Sequence, residues 1–333
     1  MVFSNLLTQA IQRQVVGQEY TIAALVRAAT LAMSGMARRE RPASVLLFLG
    51  PASSGKTHLA SCFARALLGD ERKMLRADCQ RLTSDGDPIS ILHRQLASEY
   101  CRSRMIPALS PTPYSIILLE RIDQTSPAVR ESLASEIERG EIVTAGSYFP
   151  LHNSFIIFTA TLSKKKADQL IGRPIGFFIE GEDYSEPRQH LIALEEMDNS
   201  FGGRLVSNID EIIIFDRPSE QNIVERFERR LTEIERMLAQ RSVGFMIDEN
   251  ARSFLLGRAL EDLSHGTRQL NRIARNYLEF PLADLILSGH LSSGTTVVVE
   301  HLPPRTFLNF HIMIPWLAAG QAASVSPHLL NGD

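Results

Sequence analysis

The residues Gly50-Pro51-Ala52-Ser53-Ser54-Gly55-Lys56-Thr57 follow the spacing G-x-x-x-x-G-K-T. Residues of these types at this spacing hold a polyphosphate. Gly50 and Gly55 let the backbone turn tightly and face its N–H groups inward. Pro51, Ala52, Ser53 and Ser54 form the wall of that turn. Lys56 supplies a point charge to the β- and γ-phosphates, and the Thr57 hydroxyl reaches a Mg²⁺ ion. A chance Gly-rich turn is the competing reading, and both flanks speak against it. An apolar run, Leu46 to Leu49, precedes the loop, and a helical pattern starting near Lys56 follows it. A helix start presents its positive end to an anion. The loop therefore predicts a nucleoside triphosphate site, and turnover depends on groups elsewhere in the chain.

The elements that position this loop alternate along the sequence. Strands are expected at Ser44–Leu49, Met74–Ala77, Ser115–Leu119, Ser154–Ala160 and Glu211–Phe215. Helices are expected between them at Lys56–Leu68, Pro88–Met105, Pro127–Glu138 and Lys164–Ile171. Two more precede them, Leu6–Arg13 and Glu19–Met36. Such alternation indicates a parallel sheet covered on both faces, with phosphate sites at the carboxyl ends of its strands. The prolines of 106–113 mark a loop. After Arg217-Pro218 the pattern becomes helical, with Ser219–Arg241, Asp248–Leu260 and Thr267–Ser288, followed by a strand pair at Thr295–Glu300 and Phe307–Ile314. A loose tail is expected from Ala318. The division is a large nucleotide-binding domain (1–216), a small, mainly helical lid (217–303) and a C-terminal extension (304–333).

The chain has 333 residues, 44% hydrophobic and 22% charged, an ordinary globular balance. A net charge of −3 carries no argument for bulk nucleic-acid binding. Cys62, Cys79 and Cys101 have no framework or C-x-x-C spacing and read as reduced thiols, and no paired-histidine motif indicates a metal site. There is no G-x-S-x-G elbow. The first residues lack the features of a secretory signal. The apolar stretch Phe307–Val325 is broken by Asn309, His311, Pro315, Gly320 and Gln321, which is poor for a span needing about 20 mostly apolar residues. A cytoplasmic location is expected.

Further segments carry a family resemblance. They are Val15-Val16-Gly17-Gln18, Leu47 to Pro51, Tyr114 to Leu119 with Glu120-Arg121-Ile122-Asp123, Asn208 to Ile212, His265 to Leu270, and Pro281-Leu282-Ala283. With them the chain resembles the second AAA+ module of the Clp-type unfoldases and disaggregases, from about Leu6 to Glu300. The resemblance implies a P-loop domain followed by a helical lid, ATP and Mg²⁺ as cofactors, and a homo- or hetero-oligomeric ring or filament with nucleotide between subunits. It implies that Val15 and Val16 pack on adenine and that Arg268 reaches the γ-phosphate from the lid. Thr57 and Glu120 stand where the family holds Mg²⁺, and Thr161 stands where it has Asn at a strand end.

The departures bear on catalysis. Where the family has Asp-Glu, this chain has Glu120-Arg121, and a cation cannot accept the proton of an attacking water. Asp123 would substitute only if the strand continued that far. The family's arginine finger falls on Asn208. Arg204 lies four residues upstream and reads as a solvated surface charge. The Gly-aromatic-Val-Gly loop expected between Asp78 and Pro113 is missing: Ser84-Asp85-Gly86-Asp87 has no aromatic, Tyr100 reads as a packing residue, and Tyr148 and Phe149 read as a hairpin tip. Lys164-Lys165-Lys166 reads as a solvated helix start. No catalytic position is intact. The sequence reading is thus an ATP-binding, Clp-like, chaperone-like protein with impaired or absent hydrolysis, a structural or regulatory ring component or adaptor whose partner it does not name. An active AAA+ ATPase remodelling a protein partner is the alternative, and a nucleic-acid-associated module is a third, weaker one.

Overall fold

The computed structural model describes residues 2–35, 40–80, 88–104, 114–144, 147–161, 201–215, 218–261, 266–314 and 323–325. The chain forms two compact units, Met1–Arg217 and Pro218–Asp333.

The first unit is built on five strands, β1 (Ser44–Gly50), β2 (Leu75–Asp78), β3 (Ser115–Glu120), β6 (Ser154–Thr161) and β7 (Glu211–Ile214). They form one sheet in the order β2-β3-β6-β1-β7, and every pair is parallel. All seven β1 residues are buried, as a parallel strand covered on both faces requires. Side chains alternate with period two. Val45, Leu47 and Leu49 join an apolar cluster with Leu92 and Leu96 of α4 (Pro88–Arg104) and Leu133 and Ile137 of α5 (Pro127–Arg139). Leu46 and Phe48 point the other way, into a cluster with α1 (Val2–Gln12), α2 (Glu19–Met33) and α3 (Lys56–Leu68). The five expected strands and α3 stand where their patterns put them. The helix expected at Lys164–Ile171 and the loop at 106–113 lie outside the described residues, as do residues 84–87 and 164–166.

Two antiparallel strands, β4 (Glu141–Thr144) and β5 (Ser147–Pro150), form a separate hairpin. Phe149 turns inward, nearly buried, with its ring edge-on to Tyr100 at 4.9 Å. Tyr100 is thus a packing residue.

The second unit contains α7 (Glu220–Ala239), α8 (Glu249–Leu260), α9 (Gly266–Ala274) and α10 (Phe280–Leu287); α6 is the short turn Gly203–Val206 of the first unit. Ser219 caps α7 by accepting the Asn222 N–H at 3.1 Å. Ile223, Phe227, Leu231, Ile234 and Leu238 recur at helical spacing and form the buried stripe of α7. They cluster with Val297, Val299 and Phe310 of a four-stranded sheet. Its order is β11-β10-β9-β8, with β8 at Gly244–Ile247, β9 at Thr296–Glu300, β10 at Asn309–Met313 and β11 at Ala323–Val325. The expected helices are present, and the sequence pattern marks only β9 and β10 of the sheet. The expectation of a loose tail from Ala318 is corrected at Ala323–Val325, which pair antiparallel with β10. The helix expected at Thr267–Ser288 carries a π-turn over Arg275–Glu279.

Among the described residues no helix is long and apolar enough to cross a membrane.

Phe155 is fully buried in β6, with its ring 5.3 Å from Phe63 at 87° and 5.7 Å from Tyr114. Phe155→Ala is expected to cost about 3–5 kcal/mol through lost burial and the cavity left behind. Urea denaturation followed by circular dichroism checks this, and an unchanged midpoint contradicts the packing described.

Candidate functional site

The loop after β1 is shaped by contact with Phe215, which directly follows β7. A Cβ on Gly50 would lie 2.6 Å from the Phe215 carbonyl oxygen and 2.8 Å from the Phe215 Cβ. Only glycine fits there. Phe215 in turn donates its N–H to the Leu49 carbonyl at 2.7 Å. The chain then turns through two left-handed residues, Ser53 (φ 63°) and Gly55 (φ 106°), and enters α3 at Lys56. No side chain caps the start of α3, and the first N–H groups of a helix have no partner within it. The Lys56 ammonium, nearly buried, donates to the carbonyls of Gly50 at 2.8 Å and Pro51 at 2.6 Å.

Strand register places further groups beside the loop. Gly50 stands opposite Thr161, the last residue of β6. Glu120, the last residue of β3, stands opposite Asp78, the last of β2. Leu119 pairs with Phe158, so Glu120 and Asp78 stand two residues short of Thr161 and Gly50 on the same carboxyl edge of the sheet. Thr57 donates its hydroxyl to Glu120 Oε1 at 2.6 Å, and Arg76 Nε donates to Glu120 Oε2 at 2.6 Å.

Strand β3 ends at Glu120. Arg121 is left-handed (φ 58°) and donates its backbone N–H to the Thr159 hydroxyl at 3.1 Å. Its guanidinium reaches back to β2 and pairs with Asp78 and Gln80. That turn delivers Asp123, on the 3-10 turn Ile122–Gln124, to the end of β6. There the Thr161 N–H approaches its carboxylate. Asp123 Oδ1 is buried without a hydrogen-bond partner. Burial pushes the Asp123 pKa above the ordinary carboxylate value, against the N–H bonds and the charges of Lys56 and Arg121. The strand continuation that would bring Asp123 into play is absent, and a left-handed turn brings it to the edge instead.

The remaining candidates lie as follows. Val15 and Val16 are buried after α1, Val15 within the cluster that holds Leu25 and Phe63. Asn208 is buried, donating to Glu138 at 3.1 Å and to the Arg204 carbonyl at 2.8 Å, and accepting from Arg41. Arg204, read as a solvated charge, is half exposed and held by carboxylates, Glu138 at 2.6 Å and Glu131. Those bonds raise its pKa further and hold Glu138 down at about 2. Arg268 is exposed on α9, in the second unit. Burial pushes the Cys62 thiol to about 11 and the Cys79 thiol to about 12, so neither is reactive at neutral pH.

Comparison with known proteins agrees with this layout. Residues 41–207 match the model of the AAA domain (Cdc48 subfamily), half of the chain. Residues 216–299 match that of the C-terminal, D2-small domain of ClpB protein. This chain belongs to the Clp-type AAA+ family. It is 27% identical over 298 residues to the chaperone protein ClpB of Aquifex aeolicus (strain VF5), covering 89% of this chain and 29% of that protein. It is 24% identical over 303 residues to the ATP-dependent Clp protease ATP-binding subunit ClpC of Staphylococcus aureus (strain USA300), covering 89% of this chain and 36% of that protein. The chain thus spans about a third of the length of these relatives, and corresponds to the second AAA+ module of the Clp type.

Sequence reasoning misses two participants of this Clp-type edge. Arg76 sits one strand over from Glu120, 44 residues away, and no local pattern links them. Asp78 carries no motif, and only the β2–β3 register exposes its place.

The raised Asp123 pKa has a signed consequence. A carboxyl whose folded pKa lies above its unfolded value costs stability as pH rises through that interval. Asp123→Asn, which keeps an acceptor, should raise the melting temperature at pH 8 and have a smaller effect near pH 4. Differential scanning fluorimetry at both pH values checks this; a loss at pH 8 contradicts it.

Proposed function

We propose that the chain binds ATP at the Gly50–Thr57 loop, hydrolyses it weakly or not at all, and uses the bound nucleotide to assemble or signal as a ring component or adaptor. The supporting observation is Arg121. It directly follows Glu120 at the carboxyl edge, and a guanidinium, which stays protonated, cannot serve as a base. The triphosphate would take the place of the Gly50 and Pro51 carbonyls around Lys56 and meet the open N–H groups of α3. Val15, Val16, Thr161 and Arg268 are proposed as further nucleotide contacts.

Thr57 Oγ1 and Glu120 Oε1 converge at 2.6 Å, and hydroxyl and carboxylate oxygens are the donors Mg²⁺ takes. These residues fit the ion. When bound, it would screen phosphate charge, and Thr57 and Glu120 would hold it. Position 208 supplies no arginine. Elsewhere an arginine finger contributes about 10³–10⁵ in kcat, and a general base about 10²–10⁴. The name of the staphylococcal relative carries ATP binding, which supports the nucleotide reading for this module. A cytoplasmic location and ring assembly are proposed on the same likeness.

Asp123 supports a second reading, that of a working remodelling ATPase. A half-buried carboxyl with one buried, unpaired oxygen and a raised pKa has the properties of a base.

The two readings differ in turnover. ATP at about 100 times its Kd should stabilise the protein by about 2.7 kcal/mol, and Lys56→Ala should abolish the thermal shift. Steady-state hydrolysis should stay well below roughly 1 s⁻¹, the low end of common enzyme rates. Turnover at that rate, lost in both Lys56→Ala and Asp123→Asn, contradicts the first reading and establishes the second.

A further inference from the structure

Glu120 is held at both carboxylate oxygens. The Thr57 hydroxyl donates to Oε1 at 2.6 Å, and Arg76 Nε donates to Oε2 at 2.6 Å. Thr57 belongs to α3 and Arg76 to β2, so the two contacts come from different elements. Strand register sets up the second. Arg76 pairs with Leu118, two residues before Glu120. Residues two apart on a strand share a face, so the Arg76 side chain runs along the sheet to the end of β3. The Arg76 side chain is 50% exposed, and an ion pair so open to water adds little to stability. Asp78, the strand-end carboxylate of β2, is taken by Arg121. Each strand-end carboxylate thus has its own arginine.

A glutamate carboxylate swings on a longer stem than an aspartate's and can point several ways. Arg76 removes that freedom. With Oε2 fixed, Oε1 is left facing the Thr57 hydroxyl, and these two oxygens are the ones that fit Mg²⁺ at this edge. Outer partners that hold a ligating carboxylate in place are worth about 10–100-fold in metal affinity. A guanidinium can also act as a bare charge, and the two roles have opposite signs. A cation beside a metal ligand repels the metal, so as a charge alone Arg76 would weaken ion binding. As a group that fixes Glu120 it strengthens ion binding.

We infer that Arg76 is a positioning residue of this site, holding Glu120 by Oε2 so that Oε1 and the Thr57 hydroxyl are set for the divalent ion that accompanies a triphosphate. The inference rests on the reading of the loop as an ATP site. Arg76 acts through Glu120 and touches neither nucleotide nor ion. Its loss therefore lowers the gain in nucleotide affinity that Mg²⁺ brings and leaves metal-free binding unchanged.

The test is calorimetric titration of a non-hydrolysable ATP analogue into the full chain, once with millimolar MgCl₂ and once with EDTA. The readout is the ratio of the two Kd values. The wild type should bind more tightly with MgCl₂, and Arg76→Gln should reduce that gain about tenfold, with the Kd in EDTA unchanged. Arg76→Lys, which still donates to the carboxylate, should keep more of the gain than Arg76→Gln. Circular dichroism confirms the folds, and Arg76→Lys carries the test alone if Arg76→Gln does not fold, with a smaller fall in the same direction. On a Glu120→Gln background Arg76→Gln should have no further effect on the ratio. A ratio that is unchanged or raised in the folded Arg76 variants overturns the inference and leaves the ATP site standing. So does equal weakening with and without Mg²⁺, the mark of a purely structural role, and so does wild-type binding that Mg²⁺ does not tighten. Absence of wild-type binding under both conditions overturns the nucleotide reading itself and the inference with it.

Discussion

The parallel register of β1 with β6 governs where every group of the site stands. Gly50 lies opposite Thr161 and Leu49 opposite Ala160. A slip of one residue would turn Leu46 and Phe48 out of one apolar cluster and Val45, Leu47 and Leu49 out of the other. Burial on both faces therefore holds the register, and the register holds the chemistry. The β1 and β6 ends are level, with Gly50 opposite Thr161, and β3 ends two residues short of them, so the loop after β1, the carboxylate ending β3 and the hydroxyl ending β6 lie at one edge. Phe215, directly after β7, adds a second restraint, pressing on Gly50 so closely that no side chain fits. The loop keeps its shape by contact with the sheet as well as by its own hydrogen bonds.

Much of this is legible in the sequence, for identifiable reasons. Short apolar runs bounded by turn residues mark β1, β3 and β6, because both faces of each are covered. Helix α3 reads cleanly because Gly55 and Gly69, both left-handed, bracket it. The β8 strand does not read. Its four residues are all partly exposed and show no alternation. The β11 strand lies in a stretch of small residues and owes its conformation to pairing with β10. The π-turn at Arg275–Glu279 leaves no mark on the periodicity around it. Within the site, the phosphate loop announces itself because its chemistry is local. Arg76 and Asp78 do not, because their roles come from pairing across strands. Asp123 is visible as a residue, but its arrival beside Thr161 depends on a left-handed Arg121, a conformation that sequence does not mark in a non-glycine residue.

The edge combines a loop shaped like an anion cradle with a guanidinium, Arg121, directly after the strand-end carboxylate Glu120. Lys56 and the open start of α3 suit a polyphosphate without help from other elements. Water activation needs a carboxylate aimed at the water, and position 121 carries a guanidinium turned away toward β2. Asn208 is locked among Glu138, Arg41 and the Arg204 backbone. Arg204 is itself committed to two glutamates. On the proposed reading, binding and turnover are separable, since they would rest on different residues of the same edge.

The measurement that bears most directly on the account is the structure of this chain with a non-hydrolysable ATP analogue. The account predicts the β- and γ-phosphates against the N–H groups of the 52–57 loop, with the Lys56 ammonium moved from the Gly50 and Pro51 carbonyls onto phosphate oxygen. An analogue bound elsewhere, or Lys56 still on those carbonyls with the loop empty at saturating analogue, would contradict it.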